Sequence, residues 1–236
     1  MESHEGSMRK AAMARNAYSD YLNLSELLTL QQPRTGIQDG AVRASEHFFI
    51  VVHQSAELLL TQVIDDLRTV LRDCDAHQPD LADAETRLRR ACGVVDLICR
   101  HVQVLEHLPR EHFLAFRDRL GRARAGGSEQ FAELFALAGA GGERSLLAVA
   151  IDRAVPWGGA QAEQVREALE SLGRELRRWQ LTHVALVERM IGDEPGTAGS
   201  AGAAWLRSRI GPPSAHSSNP SATPSLGVAA SPETAA

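Results

Sequence analysis

Apolar residues recur at helical spacing along three long stretches of the chain. The first stretch runs from about Ser45 to Asp73, and one face of it is apolar at Phe49, Val52, Ala56, Leu60, Val63, Ile64 and Leu67. Steps of three and four residues are typical of the buried face of an α-helix, and Ser45 is a suitable N-cap. The pattern predicts one long amphipathic helix here.

Two later stretches repeat this pattern. The second runs from about Asp83 to Leu108, with apolar positions at Leu88, Ala91, Val95, Ile98, Val102 and Leu105. The third runs from about Gln161 to Ile191, with Gly192 as its stop and apolar positions at Val165, Leu169, Leu172, Leu176, Trp179, Leu186 and Met190.

Shorter helices are predicted around these three. They lie at about residues 18–28, 111–120 and 128–138, in a segment that ends before Pro156, and in a last segment through Ile210. Residues 33–40 are predicted as a loop. No stretch alternates apolar and polar residues as a strand does, so the fold class is all-α, a helical bundle.

Length and composition suit one domain of 236 residues with loose ends. We predict a flexible N-terminus at 1–14, a helical domain at 15–211 and a disordered tail rich in Ser, Pro and Ala at 212–236. The net charge of −5 gives no reason to expect nucleic acid as a partner. No stretch reaches the roughly 18 apolar residues of a membrane span. The three cysteines show no paired spacing, which favours a reduced, cytoplasmic setting.

Two histidines interrupt the apolar faces of the long helices. His53 lies beside the first apolar face, with Phe49 one turn before it and Glu57 one turn after, and His183 falls within the third face. A buried imidazole needs a partner, because an unsatisfied polar group costs about 1–3 kcal/mol. Periodicity alone favours two core histidines, of which His53 would pair with Glu57 or a backbone carbonyl.

The same two histidines also suit a haem site. One imidazole would be the axial ligand of the iron, and the other a distal hydrogen-bond partner or proton acceptor. Other metal sites are less well supported: HExxH is absent, and the spacing of His101, His107 and His112 does not align three ligands on one helix face. The glycine-rich residues 196–202 follow a helix and lack the lysine of a phosphate-binding loop.

Four segments resemble motifs of the tryptophan 2,3-dioxygenases and occur in the order of that family. Residues 18–22 (YSDYL) resemble its YxDYL opening, and residues 49–58 (FIVVHQSAEL) resemble its FIxxHQxxEL helix. Residues 113–121 (FLAFRDRLG) resemble its DFxxFRxxLG segment. His183, the following VERMIG and residues 196–202 resemble its axial-histidine helix and the GTGGSxG loop. Together they cover most of residues 18–210.

The resemblance implies a helical bundle that encloses haem b and uses O2. His183 would be the proximal ligand of the iron, and the loop with Gly196 and Gly199 would contact the cofactor. His53 would be the distal, catalytic histidine, close to the indole N–H of the substrate and to oxygen. Residues implied to bind the substrate, an aromatic amino acid or indole, are Phe49, Thr197, Tyr18, Tyr21 and Ser128. The tyrosines would reach the active site of a neighbouring subunit, which favours a homo-oligomer, a dimer or tetramer.

The chain departs from this family pattern at three places. Ala132 stands where an arginine would clamp the carboxylate of the substrate; Arg122 or Arg124 are possible substitutes, although each is expected to be solvent-exposed. Leu59 stands where tryptophan is common, and the region between Gly139 and Gln161 is short.

These departures leave three functions open. The main hypothesis is a haem-dependent dioxygenase that cleaves the indole 2,3-bond of L-tryptophan or a close derivative. One alternative is a haem-dependent monooxygenase that hydroxylates an indole or phenol ring in a specialised biosynthetic pathway. The other is a haem-binding sensor or carrier without catalytic activity.

Overall fold

The computed structural model describes residues 17–120, 128–139, 145–192, 194 and 202–210, and every regular element within them is helical. This confirms the predicted all-α class. The expected flexible N-terminus and tail, residues 196–201 of the glycine-rich loop, Arg122 and Arg124 lie outside the described residues, whereas Gly202 begins the last helix.

A helical segment at 17–21 is followed by eight α-helices. Their bounds are α1 Leu24–Leu27, α2 Gly40–Asp75, α3 Leu81–Gln103, α4 Arg110–Arg117, α5 Glu129–Ala138, α6 Leu146–Gly158, α7 Ala160–Ile191 and α8 Gly202–Ser208. Short 3-10 segments, Val104–His107 and Asp118–Leu120, follow α3 and α4.

The first long helix begins earlier than the sequence predicted. It starts at Gly40 rather than at Ser45, and Ser45 is not its N-cap. The Ser45 hydroxyl instead forms a hydrogen bond of 2.8 Å with Nδ1 of His112 on α4. A side chain that finds a tertiary partner need not cap its own helix, so the local signal was misleading here.

The sequence also predicted too early an end for the helix that contains Pro156. The segment expected to stop before Pro156 continues through it to Gly158 as α6. A proline inside a helix removes one backbone hydrogen bond and crowds the preceding turn. Pro156 lies only two residues before the end of α6, so few helical hydrogen bonds are disturbed. Gly159, at a φ of 48°, then turns the chain into α7.

The core lies where α3 packs against α2 on one side and α7 on the other, with α5 and α6 closing the bundle. Nearly all predicted apolar positions are buried, and most of them lie in this core. A second cluster around Phe116 buries Val52, Leu105 and Met190 and partly buries Phe49 and Leu186. The cysteines are free thiols. Cys92 and Cys99 both face α7, with Sγ contacts to Ala168 and Thr182.

Two buried carboxylates tie α2 to its surroundings. Asp66 is 0% exposed and accepts hydrogen bonds from Arg90 and Arg87 of α3, with Nε of Arg90 at 2.7 Å. Glu46 accepts from the backbone N–H groups of Arg34 at 2.9 Å and Thr35 at 2.7 Å. These bonds satisfy charges that would otherwise be costly to bury, and they fix α2 against α3 and the 30–39 loop.

By length and composition alone α2 could cross a membrane. One such helix is weak grounds for a span, since the core helix of a bundle passes the same test. Here α2 packs its apolar face against α3 and α6.

Candidate active site

His53 is held by its own helix. Its Nδ1 lies 2.8 Å from the carbonyl oxygen of Phe49, one turn earlier. A carbonyl oxygen only accepts, so Nδ1 carries the proton and Nε2 of the neutral ring keeps its lone pair. The Phe49 ring packs on the imidazole, with centroids 4.0 Å apart. A backbone carbonyl is thus the partner, as one of the two predicted pairings had it, and Glu57 is engaged elsewhere.

The surroundings of His53 keep its ring neutral. Burial lowers its pKa below the ordinary 6.5 and nearby His101 lowers it further, while the Phe49 carbonyl and Glu57 act in the opposite direction without reversing the shift. The side chain nevertheless keeps accessible surface. A ring that is surrounded by protein atoms yet accessible borders a recess, so Nε2 is an acceptor available to a bound molecule.

His183 on α7 is held differently. Its ring lies parallel to the indole of Trp179, with centroids 5.0 Å apart and planes 7° apart. It forms no hydrogen bond to any residue in the described part of the chain. Burial, and to a lesser extent His53, lowers its pKa to about 4. The ring is therefore neutral at pH 7 with a free lone pair, and the two imidazoles are close enough to interact electrostatically.

Helix α5 contacts both histidine helices at this level. On one side, Nε2 of Gln130 donates to the Glu57 carboxylate at 2.7 Å and to its backbone carbonyl at 2.9 Å. On the other side, Phe131 stacks on Trp179 with centroids 4.1 Å apart. The sequence did not predict these contacts of α5. An aromatic residue one turn before each histidine was the available signal: Phe49 was expected to bind the substrate, whereas Trp179 was placed on the apolar face alone.

Phe49 also joins an aromatic cluster. Its ring is 5.5 Å from that of Phe116 and 6.0 Å from that of Phe113, both on α4. Phe116 is fully buried and Phe49 and Phe113 are partly buried, so the wall next to His53 is apolar. A flat aromatic molecule would meet an aromatic surface here, with Nε2 of His53 as a polar contact beside it.

Two buried nitrogens near the histidines have no hydrogen-bond partner among the described residues: Nε1 of Trp179 and Nε2 of His101. Leaving a buried donor or acceptor without a partner costs free energy, so such groups are expected where a ligand binds. Together with the unbonded neutral imidazole of His183, these residues fit a haem group: the imidazole is a suitable axial ligand, and Trp179 offers a donor next to it. No cluster of three or more His, Cys, Asp or Glu in the described ranges has the arrangement of a metal-ion site.

The remaining predicted site residues are spread more widely. Ser128 is the N-cap of α5 and accepts from the backbone N–H of Phe131 at 3.1 Å. Tyr18 and Tyr21 are 64% and 85% exposed, and the structure does not bring them to the histidines of this chain. Ala132 on α5 is exposed. Thr197, Gly196 and Gly199 lie outside the described residues.

In the described part of the chain, a helical bundle carries two neutral imidazoles on different helices, each beside an aromatic ring and one of them without a hydrogen bond, and these features fit a haem oxygenase. The comparisons with known proteins agree. The chain matches the family model described as tryptophan 2,3-dioxygenase over residues 2–153 and 147–212.

Three relatives illustrate the similarity, and all three are named tryptophan 2,3-dioxygenase. The protein of Anaeromyxobacter dehalogenans (strain 2CP-C) is 30% identical over 246 residues, covering 82% of this chain and 90% of the relative. That of Nocardioides sp. (strain ATCC BAA-499 / JS614) is 27% identical, covering 84% and 90%. That of Pseudomonas fluorescens is 25% identical, covering 83% and 86%.

The chain belongs to the tryptophan 2,3-dioxygenase family as a divergent member. It is accordingly an enzyme of the haem-dependent oxidoreductase class.

Proposed function

We propose that this enzyme binds haem b through His183 and uses O2 to open the 2,3-bond of an indole ring, that of L-tryptophan or a close derivative. The product would be of the N-formylkynurenine type, with both atoms of O2 in the two new carbonyl groups. The observation that carries the proposal is the pair of histidines on α2 and α7 whose rings are held neutral, of which His53 is bonded to the Phe49 carbonyl and His183 has no hydrogen bond within the described residues.

The haem, when bound, supplies the activation of O2, and the chain's own residues bind and orient the substrate. The indole would pack against Phe49, whose position is fixed by Phe116. Because Nδ1 of His53 is committed to the Phe49 carbonyl, Nε2 is the nitrogen that can accept a hydrogen bond from the indole N–H. His53 therefore orients the indole ring and can take up the indole N–H proton at its Nε2.

The anchor for the polar end of the substrate differs from the one that the family resemblance implies. Ala132 carries no charge with which to bind a carboxylate, although its position on α5 is exposed. We propose that the substrate is a tryptophan derivative or other indole whose recognition does not depend on a bidentate arginine contact. In this proposal Thr197 would offer its hydroxyl to an ammonium group and Ser128 would line the same end.

We further propose that the enzyme is a cytoplasmic homo-oligomer, with the tyrosines contributed to a neighbouring subunit's active site. The support is the exposure of apolar side chains in residues 17–39, where Tyr21, Leu28 and Ile37 are 85%, 71% and 85% exposed. Large apolar side chains that lie together on a surface are typical of a contact with another protein. Light scattering coupled to size exclusion should give a mass above the 25.6 kDa of one chain. A mass of one chain at working concentrations would reject this.

The absorption spectrum of the protein after reconstitution with haemin tests the first step. A Soret band that persists through gel filtration, at one haem per chain, is expected. A protein that stays colourless would reject haem binding and with it the proposed function.

Turnover under ¹⁸O2 tests the reaction. With tryptophan and substituted indoles as substrates, two labelled atoms in the product, read by mass spectrometry, are expected. One labelled atom would instead favour the monooxygenase, for which loss of the carboxylate clamp at Ala132 is the motivating observation. Haem binding without turnover across the panel would favour the sensor or carrier.

A further inference from the structure

We propose that Trp179 is a positioning residue that fixes the ring plane of His183, and that Phe131 holds Trp179 in place. The link to the iron rests on the proposed function, whereas the orientation of the ring is a property of the haem-free chain. Trp179 touches neither substrate nor reacting atoms in this proposal; it acts through His183.

The need for such a residue follows from how His183 is bonded. Rotation of an imidazole about its last torsion angle is only weakly restricted by the side chain itself. Metal-ligating histidines usually donate their second N–H to a carboxylate, carbonyl or water, and that bond sets the ring plane. Within the residues that the structure describes, His183 has no such bond, and its defined contact is the parallel indole of Trp179 at 5.0 Å.

Trp179 is itself well restrained. It is 7% exposed, Phe131 stacks on it with centroids 4.1 Å and planes 23° apart, and Phe135 meets it at 6.1 Å and 53°. The rings of Phe131, Trp179 and His183, joined by these two stacked contacts, are called the column here, and they link α5 to α7.

The base of this column is fixed to the other histidine helix. Gln130, the residue before Phe131, is bonded to Glu57 through its Nε2, and its Oε1 accepts from the Thr61 hydroxyl at 3.0 Å. Glu57 lies one turn from His53. The first turn of α5 therefore connects the place of His53 on α2 with the ring plane of His183 on α7.

The test compares Trp179→Leu, which removes the stacked ring, with Trp179→Phe, which keeps an aromatic face. The control is Phe135→Leu, since Phe135 contacts Trp179 without stacking on it. Phe131→Leu serves as a second, milder variant that leaves Trp179 in the chain and so remains informative if Trp179→Leu fails to fold.

The first readout needs no haem. In haem-free protein with ¹³C-labelled histidine, the His183 ring resonance, assigned by its absence in His183→Ala, should be displaced by the ring current of Trp179. Trp179→Leu should abolish this displacement, Phe131→Leu should reduce it, and Trp179→Phe should keep most of it. An unchanged resonance in Trp179→Leu, or an equal change in Phe135→Leu, would overturn the proposal.

The second readout uses the haem-loaded protein. Loss of haem to a competing apoprotein should be on the order of tenfold faster in Trp179→Leu, the scale seen when the support of a metal ligand is removed. The resonance Raman band of the iron–histidine stretch should shift in this variant and return in Trp179→Phe. Wild-type rates and band positions in Trp179→Leu would overturn it. Failure of the wild-type chain to bind haem would count against the proposed function alone. The role of Trp179 in orienting the His183 ring would still be tested by the resonance of the haem-free protein.

Discussion

The two histidine regions of the molecule share one local plan and differ in how they complete it. Each imidazole has an aromatic ring one turn before it, Phe49 for His53 and Trp179 for His183. His53 also bonds to a backbone carbonyl, which fixes its tautomer, whereas His183 has no hydrogen bond in the described ranges. A fixed tautomer suits a residue that must present a lone pair to a substrate. A neutral ring that is stacked on an indole and keeps a free lone pair suits the iron ligand that we propose His183 to be.

Replacing the unbonded histidine should have the largest effect. His183→Ala removes the only nitrogen on α7 that we assign to the iron, so stoichiometric haem retention should be lost after reconstitution and gel filtration. The matched control is His53→Ala, which should retain haem. Normal haem content in His183→Ala would show that the two histidines have been assigned the wrong way round or that neither is a ligand.

Replacing the bonded histidine should slow the reaction without releasing haem. His53→Ala removes the acceptor for the indole N–H, and kcat should fall roughly 10²-fold, as for the loss of a general base.

The pH dependence sharpens this prediction. Because the pKa of His53 is lowered from 6.5, the wild-type ring is neutral at pH 7, and activity should fall only as the pH drops through that lowered pKa. His53→Ala should lack this acidic limb. An identical pH profile in the two proteins would remove His53 from the catalytic step.

A restored clamp should have a smaller, favourable effect. Ala132→Arg places a guanidinium on an exposed position of α5 beside Phe131. If the missing carboxylate contact limits binding, the Kd for tryptophan should improve about tenfold, the size of one charge-assisted hydrogen bond. Ala136→Arg, one turn further and also exposed, controls for added charge. Equal Kd values in all three proteins would mean that the substrate is anchored away from α5.

The smallest effect concerns the anchoring of α2, the helix of the bonded histidine. Burial alone would raise the pKa of Glu46, but hydrogen bonds from Thr35 and Arg34 outweigh it and lower the pKa below 4.5. A depressed pKa stabilises the fold at all pH values above 4.5, and that contribution is lost as the pH falls through the folded value. Glu46→Gln should therefore destabilise by about 1–2 kcal/mol at pH 7.

Thermal unfolding from pH 7 to pH 3 checks this. The difference in Tm between wild type and Glu46→Gln should shrink towards the acid end, whereas exposed Glu106→Gln should show little difference anywhere. A difference that stays constant with pH would mean that Glu46 acts by its shape rather than by its charge.

Most of the fold could be predicted from the periodicity of apolar residues in the sequence. The buried faces of α2, α3 and α7 were predicted almost residue by residue, because each repeats over many turns and the apolar surface leaves few alternatives. Helix ends were less predictable: Ser45 had the chemistry of a cap but bonds to His112, a contact between residues far apart in the chain.

The candidate site was predictable only in part. The two histidines stand out because imidazoles interrupt apolar faces. That Gln130 reaches Glu57 and Phe131 covers Trp179 depends on how α5 lies across two other helices, which no local pattern encodes. Whether Thr197 and the glycines of its loop complete the site remains a prediction.

The position of Ala132 within α5 has a consequence for how such an enzyme can change its substrate. Its neighbours are committed: Gln130 and Phe131 before it contact α2 and α7, and Glu133 after it pairs with Arg68. Ala132 itself makes none of these contacts and is exposed. If the proposed substrate contact is right, exchange of this one side chain would alter which molecules bind, while the contacts of α5 with α2 and α7 stay in place.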